Sequence, residues 1–354
     1  MGFTVKNKAY DIKIDSLTNS GLAEFIEKNY AENNKVIIVD ENTQEHCLPI
    51  LLNYSEVFND AEIITVPPGE ESKSMDLCMQ IWEGFTEYHI KRNDIIINLG
   101  GGMITDLGGF IASLYKRGVA FINIPTSLLA MVDASIGGKT GIDLGPYKNQ
   151  IGVFSNPEMI ICDPEFLETL PNDEFLSGKA EMLKHAVLTS KEMWGKVKTL
   201  TPQSINTEII KEAVEVKNGL VSKDPKETGE RKKLNTGHTI GHAIEGFMLE
   251  REPVQHGYCV AWGLLVEARL AYDYKFLAVE TYDEIKHVIT SCFPRLEFIE
   301  NDIDELMKLL WNDKKNERKE INFNLIKGFG DIKINHTFSE VSIKNALEME
   351  LCQD

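Results

Sequence analysis

The feature that most constrains this chain is a series of short, β-branched, almost wholly apolar runs confined to its first half. Lys35–Val39 reads KVIIV, Glu62–Val66 reads EIITV and Asp94–Leu99 reads DIIINL, followed by Ala120–Ile124 and Met159–Ile161. Runs without polar alternation suit strands buried on both faces, the habit of a parallel sheet covered by helices. Stretches such as Ser74–His89 supply helical spacing between them, so βαβ units follow. After Pro171 the pattern changes: from Asp173 to about Trp311 the segments are long, amphipathic and poor in β-branched runs. A strand-like piece, Ile321–Ile326, precedes a last helix starting near Ser339. The expected architecture is an α/β domain with a parallel, Rossmann-like sheet over residues 1–172, then a mainly α-helical domain over 173–354. Without a low-complexity linker the two are expected to pack tightly around a cleft, where ligand sites tend to lie.

Length and charge narrow the classes of partner. A chain of 354 residues exceeds one ordinary core, and 43% hydrophobic with 26% charged residues is a globular composition. A net charge of −18 argues against nucleic acid or an acidic membrane surface as partner. An anionic ligand would need a local basic cluster held against that general field. No apolar run reaches the roughly 18 residues of a membrane span, and MGFTVKNKAYDIKID lacks the apolar core of a signal peptide, so a cytoplasmic protein is expected. Asn7 stands where an N-myristoylation signal would want Ser or Thr nearby. The six cysteines are scattered without a CxxC pair, which reads as reduced, buried thiols.

Residues 98–109 read NLGGGMITDLGG, directly after the strand-like Asp94–Leu99, with Asp106 one turn into the following helix. Glycines there let backbone N–H groups approach a pyrophosphate at a helix N-terminus; they also make ordinary tight turns, and the spacing is not GxGxxG. Asp40 ends the KVIIV run and is followed by Glu41 and Asn42. An acid in that place accepts from a ribose hydroxyl, or merely forms an Asx turn.

The segment LNTGHTIGHAIE puts His238 and His242 four residues apart, on one helix face at about 6 Å. His256 follows in PVQHGY at the expected start of the next helix, and Glu181 lies in GKAEMLKHA on the first helix of the second domain. One carboxylate with two or three imidazoles suits Zn²⁺ with an open position, although each residue alone has a plain structural reading. Cations near glycines form a second group: Arg117 in YKRG, Lys139 in IGGKTG, Lys148 and Asn149 in PYKNQIG, Lys184 after Glu181, Arg231 before the histidines, and Lys314–Lys315 in NDKKN. In so acidic a chain these are candidates for phosphate and carboxylate contacts. IGGKTG lacks the spacing of a nucleoside-triphosphate loop.

The run GGGMITDLGGFIASLYKRGVAFINIPTSLLAMVDASIGGKTGID, then YKNQIG, TLP, GKAEMLKHA, LNTGHTIGHAIE and QHGY, resembles the 3-dehydroquinate synthases, a family of sugar phosphate cyclases. The likeness spans roughly residues 35–330, with the motifs in the family's order and spacing. It implies Glu181, His238 and His256 as zinc ligands, with Co²⁺ also possible. It implies NAD contacts from Asp40, Asn42, Glu70, Lys73, Gly101, Gly102, Met103, Asp106, Thr126 and Ser127, with Thr169 on the nucleotide side and Lys148 between cofactor and substrate. Around the substrate it places Arg117, Asp133, Lys139, Asn149, Lys184, Lys217, Arg231, Asn235 and His242, with one of Lys314 and Lys315. The implied reaction converts 3-deoxy-D-arabino-heptulosonate 7-phosphate into 3-dehydroquinate and phosphate. It runs by transient NAD-dependent oxidation at C5, phosphate elimination, re-reduction and aldol closure, in a homodimer.

Three positions depart from the family pattern: Tyr147 stands where Gly commonly precedes Lys-Asn, Tyr258 where Glu is frequent, and Thr236 where an apolar residue is usual. None removes an expected ligand or substrate cation. A cyclase of the 2-deoxy-scyllo-inosose type would share fold, metal and NAD, but Arg231, Lys139 and Asn149 fit a carboxylate-bearing substrate. A metal-dependent alcohol or glycerol dehydrogenase would not need the basic set.

Overall fold

The computed structural model describes residues 2–145, 147–249, 251–312 and 321–352. Contacts divide the chain into two units, one of Met1–Pro171 with Pro202–Ser222, the other of Asn172–Thr201 with Lys223–Asp354. The return of 202–222 to the first unit differs from a simple division at residue 172. It is made by the helix Thr207–Lys223, whose Asn218 donates to the carbonyl of Lys6 at 3.0 Å and accepts from the Asn7 amide at 2.6 Å.

In the first unit nine strands are described: β1 (Phe3–Lys6), β2 (Asp11–Ile14), β3 (Lys35–Asp40), β4 (Glu62–Val66), β5 (Ile95–Gly100), β6 (Ala120–Pro125), β7 (Lys139–Leu144), β8 (Tyr147–Phe154) and β9 (Met159–Cys162). Seven form one sheet in the order β1-β2-β9-β6-β5-β3-β4, parallel except for the β1–β2 edge pair. All five apolar runs read from the sequence are strands of this sheet. Every residue of β3 and β5 is buried, as continuous apolar runs require when both faces are covered. Val36, Ile38, Ile96 and Phe121 of the strands share one core with Phe85 of the helix Met75–Glu87 and Phe110 of the helix Gly102–Leu114. The chain passes from β4, on one side of β3, to β5 on the other, so the order reverses between β3 and β5. Crevices at the C-terminal ends of such a strand pair are where α/β sheets hold ligands, and here those ends are Asp40 and Gly100.

β7 and β8 form a separate antiparallel hairpin. It carries Lys139, Lys148 and Asn149 on strands, where glycine-rich turns were expected from sequence. Thr140 of this hairpin sits against Gly109, which has no room for a Cβ there.

The second unit is helical with one hairpin, β10 (Asn322–Gly328) and β11 (Asp331–Thr337). The helix His256–Asp273 is its axis, buried along most of its length. Glycines let two neighbours approach it: a Cβ on Gly257 would overlap the backbone of Ser177, and one on Gly263 would overlap Gly237 and Gly241. Helices Asn172–Thr189 and His238–Leu249 are those neighbours. The terminal helix Glu340–Leu351 is tied down by buried Glu350, which accepts from Tyr282 and pairs with Lys286 at 3.0 Å. No helix is long and apolar enough to cross a membrane among the described residues.

Candidate metal and nucleotide sites

In the second unit the middle of one helix and the starts of two others converge on one point. Glu181 lies in the middle of Asn172–Thr189 and is 1% exposed. His238 and His256 are the first residues of their helices. The facing ligand atoms of Glu181, His238 and His256 all lie within 4.8 Å of one another. Nε2 of His238 stands 3.4 Å from Glu181 Oε1, and Nε2 of His256 stands 3.6 Å from the same oxygen.

The outward-facing nitrogens explain why the inner ones point this way. Nδ1–H of His238 donates to the Thr236 carbonyl at 3.3 Å, and Nδ1–H of His256 donates to both Glu245 oxygens at 3.2 and 3.3 Å. Carbonyl and carboxylate oxygens only accept, so Nδ1 of each ring carries a proton, and that bond leaves Nε2 facing Glu181. Outer hydrogen bonds of this kind orient metal-binding histidines, and the donor set of one carboxylate and two imidazoles fits a divalent ion of the zinc or cobalt kind.

Electrostatics separate the two rings. Burial works against charge on both. At His238 it prevails and lowers the pKa to about 4, despite Glu181. At His256 the Glu245 and Glu181 carboxylates overcome it and push the value up to about 10. Burial raises the Glu181 carboxyl, but Lys184 and His238 outweigh it and hold the group well below the usual carboxylate range. Lys184, one helical turn on, contacts Glu181 Oε2 directly and is equally buried. His242 is exposed on the same helix as His238, with ring centroids 5.4 Å from His238 and 6.2 Å from His256.

The loop before the histidines is pinned from several sides. Asn324 of β10 donates to the Lys232 carbonyl at 2.8 Å and to the Thr236 hydroxyl at 3.2 Å. The N–H of Gly237, at φ 80°, donates to buried Glu267 at 2.8 Å. Thr236, which departs from the family pattern, thus has a polar partner waiting for its hydroxyl. Tyr258, the other departure in this unit, donates to Asp173 at 2.9 Å and links the His256 helix to the Glu181 helix. Buried Arg231 donates to the Pro225 carbonyl at 2.6 Å, and Asn235 donates to Glu227 at 2.5 Å. Lys314 and Lys315 lie outside the described residues.

The first unit holds the residues expected around a nucleotide. Gly101 caps the helix Gly102–Leu114, and Met103 lies in its first turn. Thr126 and Ser127 follow β6, where Thr126 N–H donates to the Gly100 carbonyl at 3.0 Å. Buried Lys73 gathers three of the expected residues: Nζ lies 3.0 Å from Asp106, 3.2 Å from Glu70 and 2.6 Å from Asn149 Oδ1. Lys148 reaches the same Glu70 at 3.7 Å. Burial raises the Asp106 carboxyl despite Lys73, and Lys73 itself is held high by Asp106 and Glu70 against its own burial. Asp40 is committed to a capping box with Thr43 on Glu41–His46, whose next residue, Asn42, is exposed. The Asp40 carboxylate thus makes a helix N-cap bond to the N–H three residues on rather than the Asx turn read from sequence, and its nearness to the crevice comes from β3.

Lys217 donates to Asp133 at 2.6 Å, so these two also meet. Lys139 opens β7 with its side chain exposed. Arg117, at φ 66°, and Thr169, on a turn, are both exposed. Among the described residues neither touches the Lys73 cluster. Two residues were missed from sequence. Asp143 accepts from Asn149 N–H at 2.6 Å, while its own N–H donates to the Lys73 carbonyl at 2.8 Å. Glu245 was legible as the third member of a 238, 242, 245 helix stripe.

Residues 63–177 match the model for the 3-dehydroquinate synthase N-terminal domain, and residues 178–316 match that for its C-terminal domain. A protein of Parabacteroides distasonis named 3-dehydroquinate synthase is 40% identical over 317 residues, covering 88% of this chain and 90% of its own length. Among solved structures, 2-epi-5-epi-valiolone synthase from Streptomyces hygroscopicus subsp. jinggangensis, with NAD⁺ and Zn²⁺ bound, superposes with TM-score 0.84 at 23% identity, covering 99% of each chain. A 2-deoxy-scyllo-inosose synthase complexed with carbaglucose-6-phosphate, NAD⁺ and Co²⁺ gives TM-score 0.82 at 20% identity, covering 99% of this chain and all of its own.

Proposed function

The chain belongs to the 3-dehydroquinate synthase family, and from that premise we propose that it converts 3-deoxy-D-arabino-heptulosonate 7-phosphate into 3-dehydroquinate and phosphate. The observation that carries this reading is the Glu181–His238–His256 set, whose two rings are both held with Nε2 inward. These three residues would hold Zn²⁺, or Co²⁺. NAD would lie along Gly101, Gly102, Met103, Asp106, Thr126 and Ser127, with Asp40, Asn42, Glu70, Lys73 and Thr169 completing its contacts. When bound, the ion supplies a Lewis acid for the C5 hydroxyl and NAD a reversible hydride acceptor.

The chain's own residues do the rest. His242, exposed beside the two ligand rings, moves the proton released when the C5 hydroxyl is oxidised. Lys184, Arg231, Lys139 and Arg117 bind the phosphate and carboxylate, and Asn149, Asn235 and the Lys217–Asp133 pair orient the hydroxyls. Lys148 stands between cofactor and substrate. The substrate phosphate takes the C6 proton as it leaves, so no dedicated carboxylate base is needed. The protein is cytoplasmic and homodimeric in this reading.

The test is to supply the purified protein with the heptulosonate phosphate, NAD⁺ and Zn²⁺ and to measure phosphate and 3-dehydroquinate together. Equal yields, lost on chelation and in His256→Ala, support the assignment. Phosphate release from glucose 6-phosphate in place of the heptulosonate would reassign the substrate.

A further inference from the structure

The two inward-facing histidines are held by unlike partners. His238 leans on a backbone carbonyl, whereas His256 leans on a full carboxylate that is 5% exposed. Glu245 reaches it from the adjacent helix: residues 238, 242 and 245 line one face of His238–Leu249, and the next helix begins at His256 itself. Both oxygens of Glu245 stand at hydrogen-bond distance from the same ring nitrogen, at 3.2 and 3.3 Å. His256 needs such a partner more than His238 does. It opens its helix after a loop and keeps 32% of its side chain accessible, against 12% for His238, so packing alone leaves its ring free to turn.

We infer that Glu245 is a positioning residue for the divalent ion: it fixes the Nδ1–H tautomer of His256 and aims Nε2 at the position shared with Glu181. The inference rests on the metal reading above. A carboxylate in this place also makes the coordinating nitrogen a better donor than a neutral acceptor would, and partners of this kind govern affinity by roughly 10–100-fold. Glu245 touches neither substrate nor ion, so its loss acts through His256.

The experiment uses the full-length protein stripped of metal and titrated with Zn²⁺ and Co²⁺ against a chromophoric chelator. Glu245→Gln keeps the shape and removes the charge; it is expected to weaken binding by about tenfold or more and to alter the visible Co²⁺ spectrum, with Glu245→Asp recovering part of the loss. A Glu245→Gln protein that binds within about twofold of the parent, with an unchanged Co²⁺ spectrum, overturns the inference while leaving the metal site intact. A parent protein that binds no ion at these residues overturns the metal reading and this inference together. A second measurement needs no variant: nitrogen NMR of histidine-labelled, Zn²⁺-loaded parent should show His256 coordinating through Nε2 with Nδ1 protonated. Coordination through Nδ1 overturns the inference.

Discussion

At the scale of single residues, the arrangement around Lys73 makes a sharp prediction. Its ammonium is buried between Asp106 and Glu70, and Asp106 keeps 22% side-chain exposure. Lys73→Met strands both carboxylates. It should cost about 2–3 kcal/mol, less than the ~3–5 of a fully buried pair because water still reaches Asp106. The sign of the pH dependence follows from the raised Asp106 carboxyl. An acid whose folded pKa is raised contributes stability that is present below its unfolded value and lost as pH rises through the folded one. Removing Lys73 raises it further, so the deficit of the variant should grow as pH rises from the ordinary carboxylate range through neutrality. Urea unfolding of both proteins across that range checks this; a deficit constant with pH would show that the charges do not matter. Most of this cluster was legible only through the family likeness. Asp143 was not, because its contacts run to backbone groups of Asn149 and Lys73 that spacing does not reveal. Asn149 itself has φ 52°, a left-handed conformation that no residue pattern announced.

At the scale of elements, the long apolar strands were legible because burial on both faces forces an unbroken run. β1, β2, β7 and β8 were not: FTVK and DIKI are short and polar on one face, and KTGIDL carries a glycine where strand propensity is weak. The helix start at His256 came out as read, and His238 and His242 share one helix, which is why the histidine spacing was informative. What spacing could not show is how closely the helices approach. Gly257→Ala would press a methyl into the Ser177 backbone. Overpacking of this kind costs about 1–3 kcal/mol. Because the displaced helix carries His256, metal affinity should fall with stability. Equilibrium unfolding and metal titration of Gly257→Ala test this, and an unchanged affinity would mean that the site tolerates the shift.

For the molecule as a whole, the scattered cysteines read as structural thiols, and Cys47, Cys78, Cys162 and Cys259 are indeed buried. Burial pushes the Cys47 thiol up to about 11 and Cys78 up to about 12. Cys292 and Cys352 are half-buried. Alkylation of the native protein near neutral pH should therefore modify at most these two promptly, and all six after denaturation, as mass spectrometry would show. Rapid native labelling of Cys162 would contradict the packed sheet. The residue pattern changes at Pro171, where the long segment of the first unit also ends. The return of 202–222 to the first unit was not legible, since an amphipathic helix does not declare which core it faces.

The central claim is that this chain uses its nicotinamide cofactor and gives it back within each turnover. The most direct measurement supplies the heptulosonate phosphate in large excess over NAD⁺ and records phosphate release and NADH absorbance in the same cuvette. The account predicts phosphate far beyond the NAD⁺ present, with no net NADH at completion. NADH accumulating to the full amount of NAD⁺, with oxidised alcohol and no phosphate released, would contradict it and place the chain's chemistry among the dehydrogenases.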